Sequence, residues 1–151
     1  MQRLFVSPHA RSLDVKGRLM LPPEYRESLE KARGDGENCA FWLTAFYGRL
    51  VAYLPAQWEQ ICEELDRIPA FLVKLSHFKS KVLGLAQCLS PDAQGRIRIP
   101  QPLMREVGIE KDVMLVGMGD KFEIWDQRRF DELQVGDISG ELEKTGLQIS
   151  L

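Results

Sequence analysis

The chain has 151 residues and a formal net charge of −2, with 44% hydrophobic and 28% charged side chains. This suits one ordinary domain or two very small ones sharing a core, is too rich in apolar residues for disorder, and is no polycation. No apolar run reaches the roughly 18 residues needed to span a bilayer, and Met1-Gln2-Arg3-Leu4-Phe5-Val6-Ser7-Pro8 breaks too early for the core of a secretory signal, so a cytosolic protein is expected.

In chain order, the first organised segment is Ser12-Leu13-Asp14-Val15-Lys16-Gly17-Arg18-Leu19-Met20-Leu21-Pro22. Leu19 and Leu21 fall on one side with Arg18 and Met20 opposite, the period of a half-buried strand. Gly17 supplies the positive φ of the preceding turn, and Asp14 closes an Asx-turn onto the backbone. Pro22 and Pro23 stop the strand and suit the first turn of a helix, with Tyr25 and Leu29 on one helical face. A second strand pair follows, Phe41-Trp42-Leu43-Thr44 and Arg49-Leu50-Val51-Ala52-Tyr53, turning at Gly48. Pro55 then opens a helix with Trp58, Ile61/Cys62 and Leu65 on one side. Pro69 opens another, with the stripe Phe71, Leu75, Phe78, Val82 and Leu85 and with Lys74, Lys79 and Lys81 away from it. Both stripes are expected to cover the β core, with subunit contact as a secondary use.

The first segment then returns 78 residues later as Ser90-Pro91-Asp92-Ala93-Gln94-Gly95-Arg96-Ile97-Arg98-Ile99-Pro100. Ser, Asp, Gly, Arg and Pro match in place, and Pro100 to Val107 repeats the helix with Gly108 as its cap. The second block returns at a spacing of 72: Val113-Met114-Leu115-Val116, a turn near Gly119-Asp120, Lys121-Phe122-Glu123-Ile124-Trp125, and Phe130 in the place of Trp58. The first copy is longer by six residues, around Arg33-Gly34-Asp35-Gly36-Glu37. Each unit of about 45 residues is too small to bury a core alone. The two are expected to interleave their hairpins into one closed β-barrel, which also hides their edge strands. The tail from Gln134 to Leu151 is acidic and ends in alternating Leu147, Ile149 and Leu151, which dock as a strand-like segment or fray. Cys39, Cys62 and Cys88 are odd in number and widely spaced, which points to buried thiols rather than a disulfide framework or zinc site.

Catalytic patterns are thin. His9 and His77 stand in unrelated settings, no nucleophile, zinc or phosphate-loop motif occurs, and Gly117 and Gly119 open no helix. No enzyme activity, cofactor, metal ion, membrane partner or small-molecule substrate is expected. The repeated Asp-x-x-Gly-Arg is the sharper signal. Asp14, Gly17, Asp92 and Gly95 read as turn-shaping residues. Arg18 and Arg96 are not required by a turn, yet both copies carry them, and a guanidinium offers a rigid fork for phosphate or a guanine edge. Lys16 and Gln94 sit at matching positions two residues earlier, suited to a phosphate contact and a hydrogen bond to a base edge, and Arg98 joins Arg96 on one side of its strand as a further DNA contact. Charge is polarised as well: residues 1–18 carry Arg3, Arg11, Lys16 and Arg18 against Asp14, whereas residues 57–66 carry Glu59, Glu63, Glu64 and Asp66 with no cation. A near-neutral total therefore leaves room for a basic face.

These motifs, with Tyr53-Leu54-Pro55 leading to Trp58 and Val113-Met114-Leu115-Val116-Gly117 followed by Lys121-Phe122-Glu123-Ile124-Trp125-Asp126, resemble the MraZ family from about Phe5 to Phe130. The resemblance implies an α+β, mainly β fold of two SpoVT-AbrB-type units in a swapped-hairpin barrel: repeat one over 8–55, helices over 56–85, repeat two over 86–129 and a tail over 130–151. It implies a transcriptional regulator of the division and cell-wall gene cluster that forms a homo-oligomeric ring, associates with the nucleoid and binds short direct repeats in double-stranded promoter DNA. Arg18 and Arg96 carry over as DNA contacts, with Lys16 added as a basic turn residue. Phe5 is followed by Val6-Ser7-Pro8 where members of the family often have Arg and Gly, and the second motif has Gln94 in place of a cation. Two other classes stay open: an antitoxin-like or scaffolding module that binds protein, and a small hydrolase using converging carboxylates.

Overall fold

The computed structural model describes residues 3–34, 36 and 38–150. In the first copy, β1 (Pro8–Ser12) and β2 (Arg18–Met20) lead into α1 (Pro23–Ala32), then β3 (Phe41–Phe46) and β4 (Arg49–Tyr53). Helices α2 (Pro55–Leu65) and α3 (Val73–Gly84) follow. The second copy repeats the order with β5 (Gln87–Leu89), β6 (Arg96–Arg98), α4 (Gln101–Val107), β7 (Asp112–Gly117) and β8 (Phe122–Asp126), and the chain ends with α5 (Gln127–Asp131) and α6 (Ser139–Thr145). The class is α+β with antiparallel strands.

Strands cross between the copies. A six-stranded sheet runs β1-β7-β8-β4-β3-β5, so β1 pairs with β7 of the second copy, and β5 with β3 of the first. The remaining short strands form a two-stranded ribbon, with Arg18 opposite Arg98, Leu19 opposite Ile97 and Met20 opposite Arg96. The inner face of the ribbon, Leu19, Leu21, Ile97 and Ile99, joins the same core as Tyr25, Phe41, Leu43, Leu103, Leu115 and Phe122. Aromatic rings of Phe5, Tyr25 and Phe41 stand 5.0–5.6 Å from Phe122 at its centre.

The expected closed barrel is not formed among the described residues. The large sheet ends at β1 and β5, and the ribbon is a separate ladder rather than a link between those edges. Pro22 and Pro100 lie just beyond the three-residue strands, and proline has no N–H with which to extend a ladder. The apolar face of the ribbon covers the core instead.

The inter-repeat helices also part ways. Trp58 and Leu65 of α2 and Val82 of α3 form a second cluster against Trp42, Phe46 and Tyr53 of the sheet, with Trp42 and Trp58 stacked at 5.7 Å. The hydroxyl of buried Thr44 donates to the Val82 carbonyl at 2.5 Å. Yet α3 begins at Val73, not Pro69, because Leu72 has non-helical backbone angles and its N–H is used in a turn onto the Pro69 carbonyl. Phe71, at 80% exposure, therefore lies outside the expected buried stripe, and Leu75 is exposed too.

The cysteine expectation is overturned. Cys39 and Cys88 form a disulfide with Cα atoms 5.6 Å apart, although 49 residues separate them. The pairing of β5 with β3 puts them side by side, a proximity that spacing along the chain could not reveal. Cys62 is free and half-buried, and Cys88 is exposed, so only Cys39 is the buried side chain expected. In the tail, Gln134 to Ser150 contains α6, started by Asp137 accepting from the Ser139 N–H and ended by Gly146 at φ 72°. The alternating Leu147 and Ile149 are exposed, and Leu151 lies outside the described residues.

Candidate nucleic-acid interface

Each copy folds its Asp-x-x-Gly-Arg segment by the same set of bonds. Asp14 Oδ1 accepts from the backbone N–H groups of Lys16 and Arg18, both at 2.9 Å, while Oδ2 accepts from Arg18 Nε at 2.7 Å. Asp92 repeats this with Gln94 and Arg96 N–H at 2.9 Å and Arg96 Nε at 3.0 Å. Gly17 and Gly95 take φ of 78° and 83°, where any L side chain is strained. Their carbonyls then reach across: Ile99 N–H donates to Gly17 and Leu21 N–H to Gly95, both at 3.0 Å. Each turn is thus locked to the strand end of the other copy.

This geometry gives the arginines a double task. The sequence assigned the carboxylates to the turn and the arginines to a ligand, but one edge of each guanidinium is also part of the turn. The Nη groups of Arg18 have no protein partner among the described residues, whereas an Nη of Arg96 binds the Gln94 side-chain oxygen. Gln94 therefore steadies Arg96. Charge-assisted bonds from Arg18, first its backbone N–H and then its side chain, hold the Asp14 carboxyl down to about 2. Asp92 is likewise held below the ordinary carboxylate range, chiefly by the Arg96 N–H.

The outward face of the ribbon carries Arg18, Met20, Arg96 and Arg98, alternating with the buried Leu19 and Ile97. Arg98 Nε donates to the Lys16 carbonyl at 3.1 Å, and Arg11, from β1, donates through Nε to the Met20 carbonyl at 3.0 Å. Lys16 itself is exposed at the turn tip. The residues expected at the site thereby lie on the ribbon and its turns, where Lys16, Arg18, Arg96 and Arg98 outnumber Asp14 and Asp92, and Arg11 at its edge adjoins Asp112. Arg18 directly opposite Arg98 is a like-charge pair, which costs a two-stranded ladder stability. Polyanion binding would repay that cost. A two-stranded ribbon also fits the width of a DNA major groove.

Sequence reasoning missed two cations. Arg11 was visible in the charge tally but not its closeness to β2. Arg26 lies under the second turn, where its Nη1 donates to the Gln94 carbonyl at 3.0 Å. Its only sequence signal was its place opposite Met104 at the 78-residue spacing of the repeat. Among the described residues, no group of three or more His, Cys, Asp or Glu side chains could hold a metal ion, and no helix is long and apolar enough to cross a membrane.

A family model described as "MraZ protein, putative antitoxin-like" matches residues 4–74 and 82–145. Similar proteins named transcriptional regulator MraZ include one from Nitratidesulfovibrio vulgaris strain Miyazaki F, 39% identical over 98% of this chain and 99% of that protein. Another, from Maridesulfovibrio salexigens, is 39% identical over 92% of this chain and 93% of its own length. A third, from Nitrosomonas europaea, is 36% identical over 87% and 92%.

Proposed function

Since the chain belongs to the MraZ family, we propose that it is a sequence-specific DNA-binding transcriptional regulator that represses the division and cell-wall gene cluster, including its own promoter. It works in the cytoplasm on the nucleoid, by occupying DNA, with no chemical step. The observation that carries this reading is the ribbon: two identically built turns set Arg18, Arg96 and Arg98 on one outward face, at a cost in like-charge repulsion. Lys16 and the arginines contact phosphates and base edges, while Asp14, Gly17, Asp92 and Gly95 hold the turns.

The exchange of β1 and β5 between copies supports a swapped-hairpin barrel of SpoVT-AbrB type, with units over 8–55 and 86–129, joining helices over 56–85 and a tail over 130–151. Each turn alone grips weakly, so a homo-oligomeric ring that engages short direct repeats raises the effective concentration of every later contact. The exposed apolar side chains of Tyr47, Phe71, Val73 and Leu75 around α3 support such association. The test is a gel shift on the duplex upstream of the chain's own gene, beside an unrelated fragment, at two salt concentrations. Tighter binding to the first fragment, weakening steeply with salt, is expected. A folded Arg18→Ala, Arg96→Ala variant that binds as the parent does overturns the assignment.

The antitoxin-like wording of the family model favours a second reading, a module that binds protein. It takes over if the folded parent binds neither duplex at low salt.

A further inference from the structure

The two turns share the bonds that Asp14 and Asp92 make to shape them, but not their charge. The first carries Lys16 at its tip, and the second has the neutral Gln94 in the matching place. What lies beneath them differs too. Under Gly17 the nearest side-chain atom is the thioether sulfur of Met104, from α4. Under Gly95 it is the guanidinium of Arg26, from α1, which fills the space that a side chain at 95 would need. Arg26 and Met104 are themselves equivalent positions of the repeat. The asymmetry is thus reciprocal: the turn with a lysine sits on an uncharged residue, and the turn without one sits on an arginine.

We propose that Arg26 supplies the second turn with the DNA-facing cation that Lys16 supplies to the first. This rests on the proposed DNA-binding function. Arg26 donates through Nη1 to the Gln94 carbonyl at 3.0 Å, and among the described residues it takes no carboxylate partner. Its half-buried stem rises from α1 into a solvent-open hollow of about 320 Å³ that is lined also by Glu30, Arg33, Asp92 and Gly95. Of these carboxylates, Asp92 is engaged by Arg96. The remaining donors of the Arg26 fork are available to a phosphate oxygen beside the turn. Lysine at a turn tip is a point charge on a long stem, whereas this guanidinium is planar and held by a backbone carbonyl. The second turn thereby has a fixed guanidinium in place of the adaptable lysine of the first, on the same turn carbonyl that Arg98 holds at Lys16.

The experiment measures duplex affinity against salt for the parent, Arg26→Met, Arg26→Met with Gln94→Lys, and the Arg18→Ala, Arg96→Ala control. Two probes are used, the duplex upstream of the chain's own gene and a random duplex of equal length. Arg26→Met should weaken binding to both by the same factor and lower the salt slope by about one for each turn engaged. Adding Gln94→Lys should restore slope and affinity, which a purely structural role for Arg26 does not allow. A parental slope in Arg26→Met, or no recovery in the double variant, overturns the proposal. If Arg26→Met does not fold, Arg26→Lys decides: a retained slope supports the proposal and a lost slope overturns it. Parental binding by the Arg18→Ala, Arg96→Ala control would instead sink the DNA-binding reading itself.

Discussion

The ribbon and the six-stranded sheet are built from the same two repeats and serve opposite ends. The sheet gathers Phe5, Tyr25, Phe41 and Phe122 into one aromatic cluster, each of them at most 1% exposed. Even its buried charge is fully satisfied, with Glu123 accepting from Arg49 Nε at 3.1 Å and Trp125 Nε1 at 2.8 Å. The ribbon has strands of only three residues, places Arg18 against Arg98 and spends its carboxylates on its own turns. Stability is concentrated in one region and charge in the other. Substitutions should therefore separate folding from binding.

The strongest way to break that division is at the aromatic centre. Phe122→Ala should cost about 3–5 kcal/mol, read by denaturant unfolding, because the rings around it cannot collapse into the gap. The folded fraction should still bind DNA as the parent does, and a selective loss of binding would show the two regions to be coupled. Next is the Cys39–Cys88 bridge, which ties the approach to β3 to the edge strand β5 across 49 residues. Replacing both by alanine, or reducing them, should lower stability by about 2–4 kcal/mol through restored freedom of the unfolded chain. An unchanged melting temperature would contradict this.

On the ribbon, Arg18→Ala with Arg96→Ala should cost roughly 1–3 kcal/mol of DNA binding per arginine. The melting temperature should move by only a few degrees, because exposed ion pairs contribute about 0–1 kcal/mol each. A large drop in melting temperature would mean that the ribbon, not the sheet, holds the fold. The smallest effect concerns pH. The Asp14 carboxyl is depressed to about 2, below its unfolded value near 3.9, so its contribution is present above about pH 4 and lost as pH falls through about 2. A carboxyl NMR titration with a midpoint near 2, and turn amides of Lys16 and Arg18 unchanged from pH 7 to 4, are expected. A midpoint near 4 would show that the turn does not hold the carboxylate.

Residue by residue, the sequence was most informative where the physics is local. The Asx-turn at Asp14, the positive φ at Gly17, the helix starts at Pro23 and Pro55 and the Gly108 cap depend on neighbours within a few positions. The start of α3 was misplaced because Pro69 does suit a first helical turn, but Leu72 leaves the helical region before Val73. Arg26 was overlooked because nothing in its own segment marks it; its partner Gln94 lies 68 residues away.

The duplicated motif, its paired arginines and the need for two small units to share one core were therefore determined by the sequence alone, since they follow from turn chemistry, strand period and the limits of a small core. Which strand of one copy lies beside which of the other was decided only by tertiary packing. So were the disulfide that this pairing permits, the open ladder and the cation beneath the second turn. The physical reason is that such contacts join residues from about 50 to 100 positions apart, and loop closure makes them accessible without leaving any periodic trace along the chain.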